Sequence, residues 1–245
     1  MTRDWDAFGR EILDYMNGQD AVEIVERDDG FIDVSGGPKT YFAEYRNWLD
    51  CEREAILAAR GRVLDIGCGA GRVSLYLQRK GHDVLAIDVS PLAVKVAKAR
   101  GVERARVLAA TAASKKLGVF DTIVMFGNNF GLFENPVRAR WMLKRFHAMT
   151  SPDARLIVQS LDPYDTKAEY HRTYHGRNRA LGRMGGQVRI RVRYKTYATP
   201  WFDYLLVSRD EMRGLMEDTG WRVARFTDSG AIYCAVIEKC RTAND

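Results

Sequence analysis

The run Asp65-Ile66-Gly67-Cys68-Gly69-Ala70-Gly71 holds the residues of this 245-residue sequence best suited to chemistry. Gly67 and Gly69 let the backbone turn tightly and meet a ligand with no Cβ in the way. Gly71 lets a following helix pack closely on the strand before the turn. Asp65, at the carboxyl end of that strand, can accept hydrogen bonds from the ammonium of a bound amino acid. About twenty residues further on, Val84-Leu85-Ala86-Ile87-Asp88 ends in a second acid, placed as a carboxylate is when it bonds the ribose hydroxyls of an adenosine. Gly67-x-Gly69-x-Gly71 departs from the GxGxxG spacing, and glycines with an acid also serve nicotinamide dinucleotides, so the turn alone leaves that reading open.

The elements that must hold these residues follow from the pattern around them. From Gly61 onward, short apolar strands are predicted at 62–66, 83–87, 105–109, 120–126 and 155–160, with helices at 71–80, 92–100 and 136–149. Such alternation implies a parallel sheet covered on both faces. Upstream, the pattern predicts a helix over 4–17, a hairpin about Asp29-Gly30, and a longer helix over 41–60 with Tyr41, Tyr45 and Trp48 along one face. Residues 161–207 interrupt the alternation with a loop-like basic stretch followed by two extra strands. Ser208-Arg209-Asp210-Glu211 is a capping box opening a helix to about 219, ended by Gly220, and a terminal hairpin follows. The expected organisation is an N-terminal helix–hairpin–helix cap over 1–60 and a main domain over 61–245, with 161–207 as a substrate lid.

VLDIGCGAGR followed by AIDVSP resembles the first two motifs of class I S-adenosylmethionine-dependent methyltransferases. FDTIVMFGNNF resembles the fourth, and SRDEMRGLMEDTGWRV the late helix–strand unit. The resemblance covers about 61–239 apart from the insertion. It implies an α/β, Rossmann-like, doubly wound seven-stranded sheet in the order 3-2-1-4-5-7-6, strand 7 antiparallel, carrying an extra β-hairpin insertion after strand 5. It also implies S-adenosyl-L-methionine as cofactor, held at Tyr41, Asp65, Gly67, Cys68, Gly69, Asp88, Val89, Thr111, Ala112, Phe126 and Asn128. The family's acid for the adenine amine is missing from Ala109-Ala110-Thr111-Ala112; the Thr111 hydroxyl and the Ala112 backbone stand in its place.

Two shorter stretches are similar to glycine N-methyltransferases: Ala43-Glu44-Tyr45-Arg46-Asn47-Trp48-Leu49, and Phe126-Gly127-Asn128-Asn129-Phe130. They imply Tyr41 near the methionine end of the cofactor and Asn128 facing the acceptor. Glycine itself is disfavoured, because Asp162 stands where that family has an arginine for the substrate carboxylate. For an acceptor that must lose a proton, His171, His175 and Tyr41 are the candidate bases.

Composition bounds the remaining readings. The net charge is +6, and it is local. No acid lies between Glu169 and Asp203, an interval holding Arg172, Arg177, Arg179, Arg183, Arg189, Arg191, Arg193 and Lys195. In QVRIRVRYKTY the charges alternate with Ile190, Val192 and Tyr194, giving one cationic and one apolar strand face. That is either a solvated face or an anion site for phosphate, carboxylate or RNA. The fourth-strand segment lacks the D/N-P-P-Y motif of enzymes that methylate nucleobase amines, which favours a small molecule over nucleic acid. Cys51, Cys68, Cys234 and Cys240 form no metal-ligand pattern. The opening MTRDWDAFGREILDYM has no apolar core of a signal peptide, and no stretch is long enough to cross a bilayer, so a cytoplasmic, metal-free protein is expected. The function expected is methyl transfer to a small-molecule nitrogen or oxygen; the alternatives are an RNA or nucleotide methyltransferase and a non-catalytic S-adenosylmethionine-binding protein.

Overall fold

The computed structural model describes residues 5–240. Asp4, the expected start of the first helix, lies outside them. Helix α1 is Ala7–Met16, opened by the Asp6 carboxylate accepting from the Gly9 N–H at 3.0 Å. The chain continues through β1 (Ile24–Arg27), β2 (Ile32–Val34), α2 (Gly37–Tyr41), α3 (Asp50–Ala55), β3 (Arg62–Ile66), α4 (Arg72–Arg79), β4 (Asp83–Asp88), α5 (Pro91–Ala99) and β5 (Ala105–Val107). Beyond these lie β6 (Phe120–Met125), α6 (Pro136–Ala148), β7 (Thr150–Leu161), α7 (Glu169–Ala180), β8 (Gln187–Tyr194), β9 (Tyr197–Ala198) and β10 (Phe202–Leu205). Helix α8 (Arg209–Met216), β11 (Trp221–Ser229) and β12 (Ile232–Lys239) complete it.

The main sheet has the order β11-β12-β7-β6-β3-β4-β5. β4–β5 and β6–β7 are parallel, whereas β12 runs antiparallel to both β7 and β11. This is the expected 3-2-1-4-5-7-6 arrangement with its antiparallel seventh strand. The apolar runs make it so: Leu64, Ile66, Leu85 and Ile87, and likewise Ile123, Val124, Ile157 and Val158, are buried, as strands covered on both faces require. The helices start where their caps dictate. Ser90 and Asn135 side chains accept from the Ala93 and Arg138 N–H groups, each followed by proline at the first helical position. The Ser208–Glu211 capping box opens α8.

A smaller sheet runs β10-β8-β1-β2, with β9 on β8. β1 pairs antiparallel with both β2 and β8, and Glu26 faces Arg191 across the second pairing. The expected N-terminal hairpin and the expected extra strands therefore belong to one sheet, a pairing between residues far apart in sequence that local patterns do not encode.

Four expectations change. The helix over 41–60 is broken: α2 ends at Tyr41, a 3-10 turn spans Tyr45–Asn47, and Glu44, Trp48 and Leu49 are extended before α3. The Trp48 indole N–H donates to the Ala43 carbonyl at 2.9 Å, and the Glu52 carboxylate accepts from the Leu49 N–H, so each end of the break is held by a side chain. The basic stretch is not a loop, since α7 occupies Glu169–Ala180 and buries Tyr174, His175 and Asn178. β7 starts at Thr150 rather than 155, through an irregular pairing in which Phe120 meets Thr150 and Thr122 meets Arg155. Helix α8 stops at Met216, before Gly220.

Contacts group the described residues into two compact units. One is drawn from 5–48, Leu64–Ala112 and Val188–Phe202; the other from Leu49–Val63, Ala113–Gln187 and 203–240. Among the described residues, no helix is long and apolar enough to cross a membrane.

Candidate functional site

In the first unit, the glycine-rich turn is pinned to the end of β4. The Gly67 and Cys68 N–H groups both donate to the Ile87 carbonyl, at 2.8 and 3.1 Å. Gly69 has φ +51°, and Gly71, at φ +83°, leads into α4. A Cβ on Gly71 would sit 2.6 Å from a Val102 methyl, so glycine is required there for backbone angle and space alike.

Asp88 braces this turn from below. One carboxylate oxygen accepts from the Gly69 N–H and the other from the Ser90 N–H, both at 2.9 Å. Asp65 lies alongside, accepting from the Ser74 hydroxyl at 2.6 Å. Both acids are buried, at 2% and 6% exposure. Burial is the leading cause that pushes each carboxyl up to about 6, against an ordinary 3.8. Hydrogen bonds from Ser74 for Asp65, and from Ser90 and Gly69 for Asp88, pull the other way. At both acids the cost of burial outweighs those bonds. The Cys68 thiol, buried beside them, is pushed well above its ordinary value by the same burial.

Helix α1 covers the turn. Ile12 packs with Ala70, Ala93 and Val96, and Phe8 and Tyr41 pack on that cluster. A Cβ on Gly69 would lie 3.8 Å from the Phe8 ring. Phe8 and Tyr41 meet edge to face at 5.1 Å, and the Tyr41 hydroxyl donates to the Glu23 carboxylate at 3.0 Å. Glu11 is fully buried beside Glu23; burial first, and that neighbouring carboxylate second, raise its carboxyl far above the usual carboxylate range. Tyr41 does not share a helical face with Tyr45 and Trp48, because the helix is broken, while Tyr45 and Trp48 meet edge to face at 5.5 Å. Tyr45 also stacks on Tyr76 of α4 at 4.5 Å, and the Arg72 guanidinium lies 4.8 Å from the Trp48 ring.

Of the residues expected at the adenine, Thr111 lies half-buried in a 3-10 turn over Ala110–Ala112. The Ala112 N–H donates to the Ala109 carbonyl at 2.9 Å, so only its carbonyl is left to a ligand. Val89 is exposed.

In the second unit, Asn128 follows β6 with φ +60°, and Phe126 before it is buried. The Asn128 N–H donates to Gln159 Oε1 at 2.9 Å, and its carbonyl accepts from the Tyr204 hydroxyl at 2.6 Å. Its side-chain Oδ1 is buried with no hydrogen-bond partner. A buried acceptor left unpaired costs about 1–3 kcal/mol, and a ligand N–H or O–H would satisfy it. Gln159 and Tyr204 are missing from the sequence reading. Gln159 carried a signal, a polar residue inside the apolar run of β7; Tyr204 carried none.

Asp162 accepts from the Tyr164 N–H at 2.9 Å and lies 3.7 Å from an Arg209 guanidinium nitrogen. It is thus occupied by its own chain rather than open to an acceptor. His171 and His175 lie on α7; His171 packs on Tyr170, and buried His175 meets the Tyr164 ring edge to face at 5.3 Å.

Known proteins resemble this chain in sequence and fold. A family model described as "Methyltransferase domain" matches residues 63–153. An S-adenosylmethionine-dependent methyltransferase from Bacteroides fragilis, solved in complex with S-adenosyl-L-homocysteine, is similar over 98% of both chains, at 26% identity and a TM-score of 0.82. The domain match and this similarity together support a class I S-adenosylmethionine-dependent methyltransferase. The chain is also 39% identical over 74 residues to a ubiquinone biosynthesis O-methyltransferase of Xylella fastidiosa, a match spanning 30% of each protein. It is 27% identical to a ubiquinone/menaquinone biosynthesis C-methyltransferase of Syntrophotalea carbinolica, over 94% of this chain and 97% of the relative.

Proposed function

We propose that the protein transfers the methyl group of S-adenosylmethionine to a nitrogen or oxygen of a small molecule. The observation that carries this reading is the pair of buried acids at the glycine turn: Asp65, bonded by the Ser74 hydroxyl, and Asp88, bonded by the Gly69 and Ser90 N–H groups. S-adenosylmethionine, when bound, supplies an ammonium, ribose hydroxyls and an electrophilic methyl on a positive sulfur. Asp65 accepts from the ammonium, and Asp88 keeps a lone pair on each oxygen for the ribose. The unpaired Oδ1 of Asn128 accepts from the N–H or O–H of the acceptor, which aims the attacking lone pair. Displacement at a sulfonium needs alignment above all, and holding the two partners in line contributes several kcal/mol. Residues 161–207 serve as the acceptor lid.

The strand cations support a small acceptor over nucleic acid. Arg191 and Arg193 are paired with Glu26 at 2.8 and 3.2 Å, and Lys195 with Asp14 at 2.7 Å, so the cationic strand face is already answered by carboxylates. The likeness to a ubiquinone biosynthesis O-methyltransferase adds ubiquinone precursors to the acceptors worth testing.

The test is transfer of label from methyl-labelled S-adenosylmethionine into pooled metabolites and, separately, into total RNA. Label is expected in the small-molecule fraction and lost in Asn128→Ala. Label in RNA alone, or no binding of S-adenosylhomocysteine, would overturn the proposal.

A further inference from the structure

We propose that the surface cavity between Tyr164 and α7 is an oxyanion subsite, which takes a carboxylate or phosphate group carried by the methyl acceptor. The inference rests on the small-molecule reading above and names the chemical class of that acceptor. The cavity has a volume of about 260 Å³ and is lined by Tyr164, Arg172, His175 and Arg179.

Three observations lead there. Residues 172, 175 and 179 are spaced i, i+3, i+7 on α7 and so share one face of the helix, the one turned to the cavity. Neither Arg172 nor Arg179 forms an ion pair with a carboxylate among the described residues, whereas Arg191, Arg193 and Lys195 do. Two uncompensated guanidiniums converging on a concave surface suit an oxyanion, because each offers a planar fork of donors.

The cavity wall is built rather than incidental. The Arg179 guanidinium lies 4.9 Å from the centre of the Tyr164 ring, and the His175 ring abuts the same tyrosine. The Tyr164 hydroxyl donates to Glu211, whose other oxygen accepts from the Ser208 N–H, so both oxygens of that carboxylate are engaged. Burial first, and Glu211 second, raise the Tyr164 phenol to about 12, so it adds no negative charge. The Asn178 side chain donates to the Gly185 and Gln187 carbonyls and ties α7 to the segment beside it. Tyr164 follows the carboxyl end of β7, the strand whose Gln159 holds Asn128. The subsite and the unpaired Asn128 Oδ1 thus follow the carboxyl ends of two adjacent parallel strands.

The experiment uses the full chain with inorganic phosphate and, separately, acetate, at constant ionic strength set with chloride. Binding is followed by amide chemical shifts around Tyr164 and along α7. Because both arginines are exposed, millimolar affinity is expected. Arg172→Gln and Arg179→Gln should each weaken binding about tenfold or more. Arg177→Gln, on the opposite face of α7, should leave it unchanged, and circular dichroism checks that all three variants fold. Saturable binding of phosphate alone assigns a phosphorylated acceptor; of acetate alone or both, a carboxylate. No saturable binding, or equal loss in Arg177→Gln, overturns the subsite. So does a short single-stranded RNA that binds more tightly than either probe with the same arginine dependence. S-adenosylhomocysteine affinity, measured on the same samples, separates the two proposals. If it binds and neither anion does, only the subsite fails; if it does not bind to the unmodified chain, the methyltransferase reading fails.

Discussion

Replacing Asp65 by asparagine should alter the pH dependence of stability in a way that can be calculated. The Asp65 carboxyl sits near 6 instead of 3.8, first because it is buried and also because Asp88 is close; the Ser74 hydroxyl and Arg72 offset part of this. A carboxyl raised on folding binds more protons in the folded chain than in the unfolded one. Its favourable contribution is therefore complete below about pH 3.8 and lost as pH climbs through about 6. At ~1.36 kcal/mol for each pH unit, the rise from 3.8 to about 6 corresponds to about 3 kcal/mol. Asparagine does not titrate. The unfolding free energy of the unmodified protein, relative to Asp65→Asn, should thus fall by about 2–2.5 kcal/mol between about pH 4 and pH 7, the rest of the change lying below pH 4, whatever constant cost the amide carries. Urea unfolding of both proteins across that range measures the difference. Saturating S-adenosylhomocysteine, whose ammonium supplies the missing charge, should flatten the fall. A difference that does not change with pH would mean that Asp65 is already compensated in the folded chain, and the argument that it awaits a cationic group would be refuted.

Asp88→Ala should weaken S-adenosylhomocysteine binding by about 1–3 kcal/mol in calorimetry, the cost of losing charge-assisted hydrogen bonds; unchanged affinity would place the ribose elsewhere. Gly71→Ala should lower stability by about 2–4 kcal/mol, because it adds a strained backbone angle to a 2.6 Å clash with Val102. A variant as stable as the parent would show that α5 and its flanking turn yield readily. Glu11→Gln replaces a buried, protonated carboxyl by an amide of the same shape, so urea unfolding at pH 7 should change by less than about 1 kcal/mol; a loss several times larger would indicate an ionised Glu11.

The part of the site built from one stretch of chain was legible. Asp65 through Gly71 and Asp88 announce themselves because turn geometry, strand ends and ligand chemistry all demand particular residues at short spacing. The same holds for β3, β4 and β6, whose burial on both faces leaves continuous apolar runs. What was not legible depends on distant partners. Helix α7 carries Tyr174, His175 and Asn178 inward without an apolar stripe, so its periodicity is that of a polar loop. The break after Tyr41 depends on a tryptophan indole reaching back to a carbonyl. The occupation of Asp162 by Tyr164 and Arg209, and the clasp of Asn128 by Gln159 and Tyr204, join residues that only the folded sheet brings near. The basic strand was read correctly as alternating, but its counter-charge Glu26 lies on β1.

That last pairing bears on how the chain is made. Ile24 of β1 is partnered by Arg193 of β8, so about 170 residues must leave the ribosome between the two halves of one ladder. At roughly 5–20 residues per second, the wait is on the order of 10–30 s. During it, the hairpin of β1 and β2 is a lone two-stranded ribbon, marginal in water by itself, with the edge that later receives β8 still open to any passing strand. Glu26 sits on that edge and Asp14 on the preceding helix, each without its basic partner until Arg191, Arg193 and Lys195 emerge. A carboxylate exposed on an unfinished edge discourages mispairing with neighbouring nascent chains, and the arginines that arrive later convert the same group into a clasp. The smaller sheet should accordingly be among the last parts of the molecule to acquire protection from hydrogen exchange after synthesis.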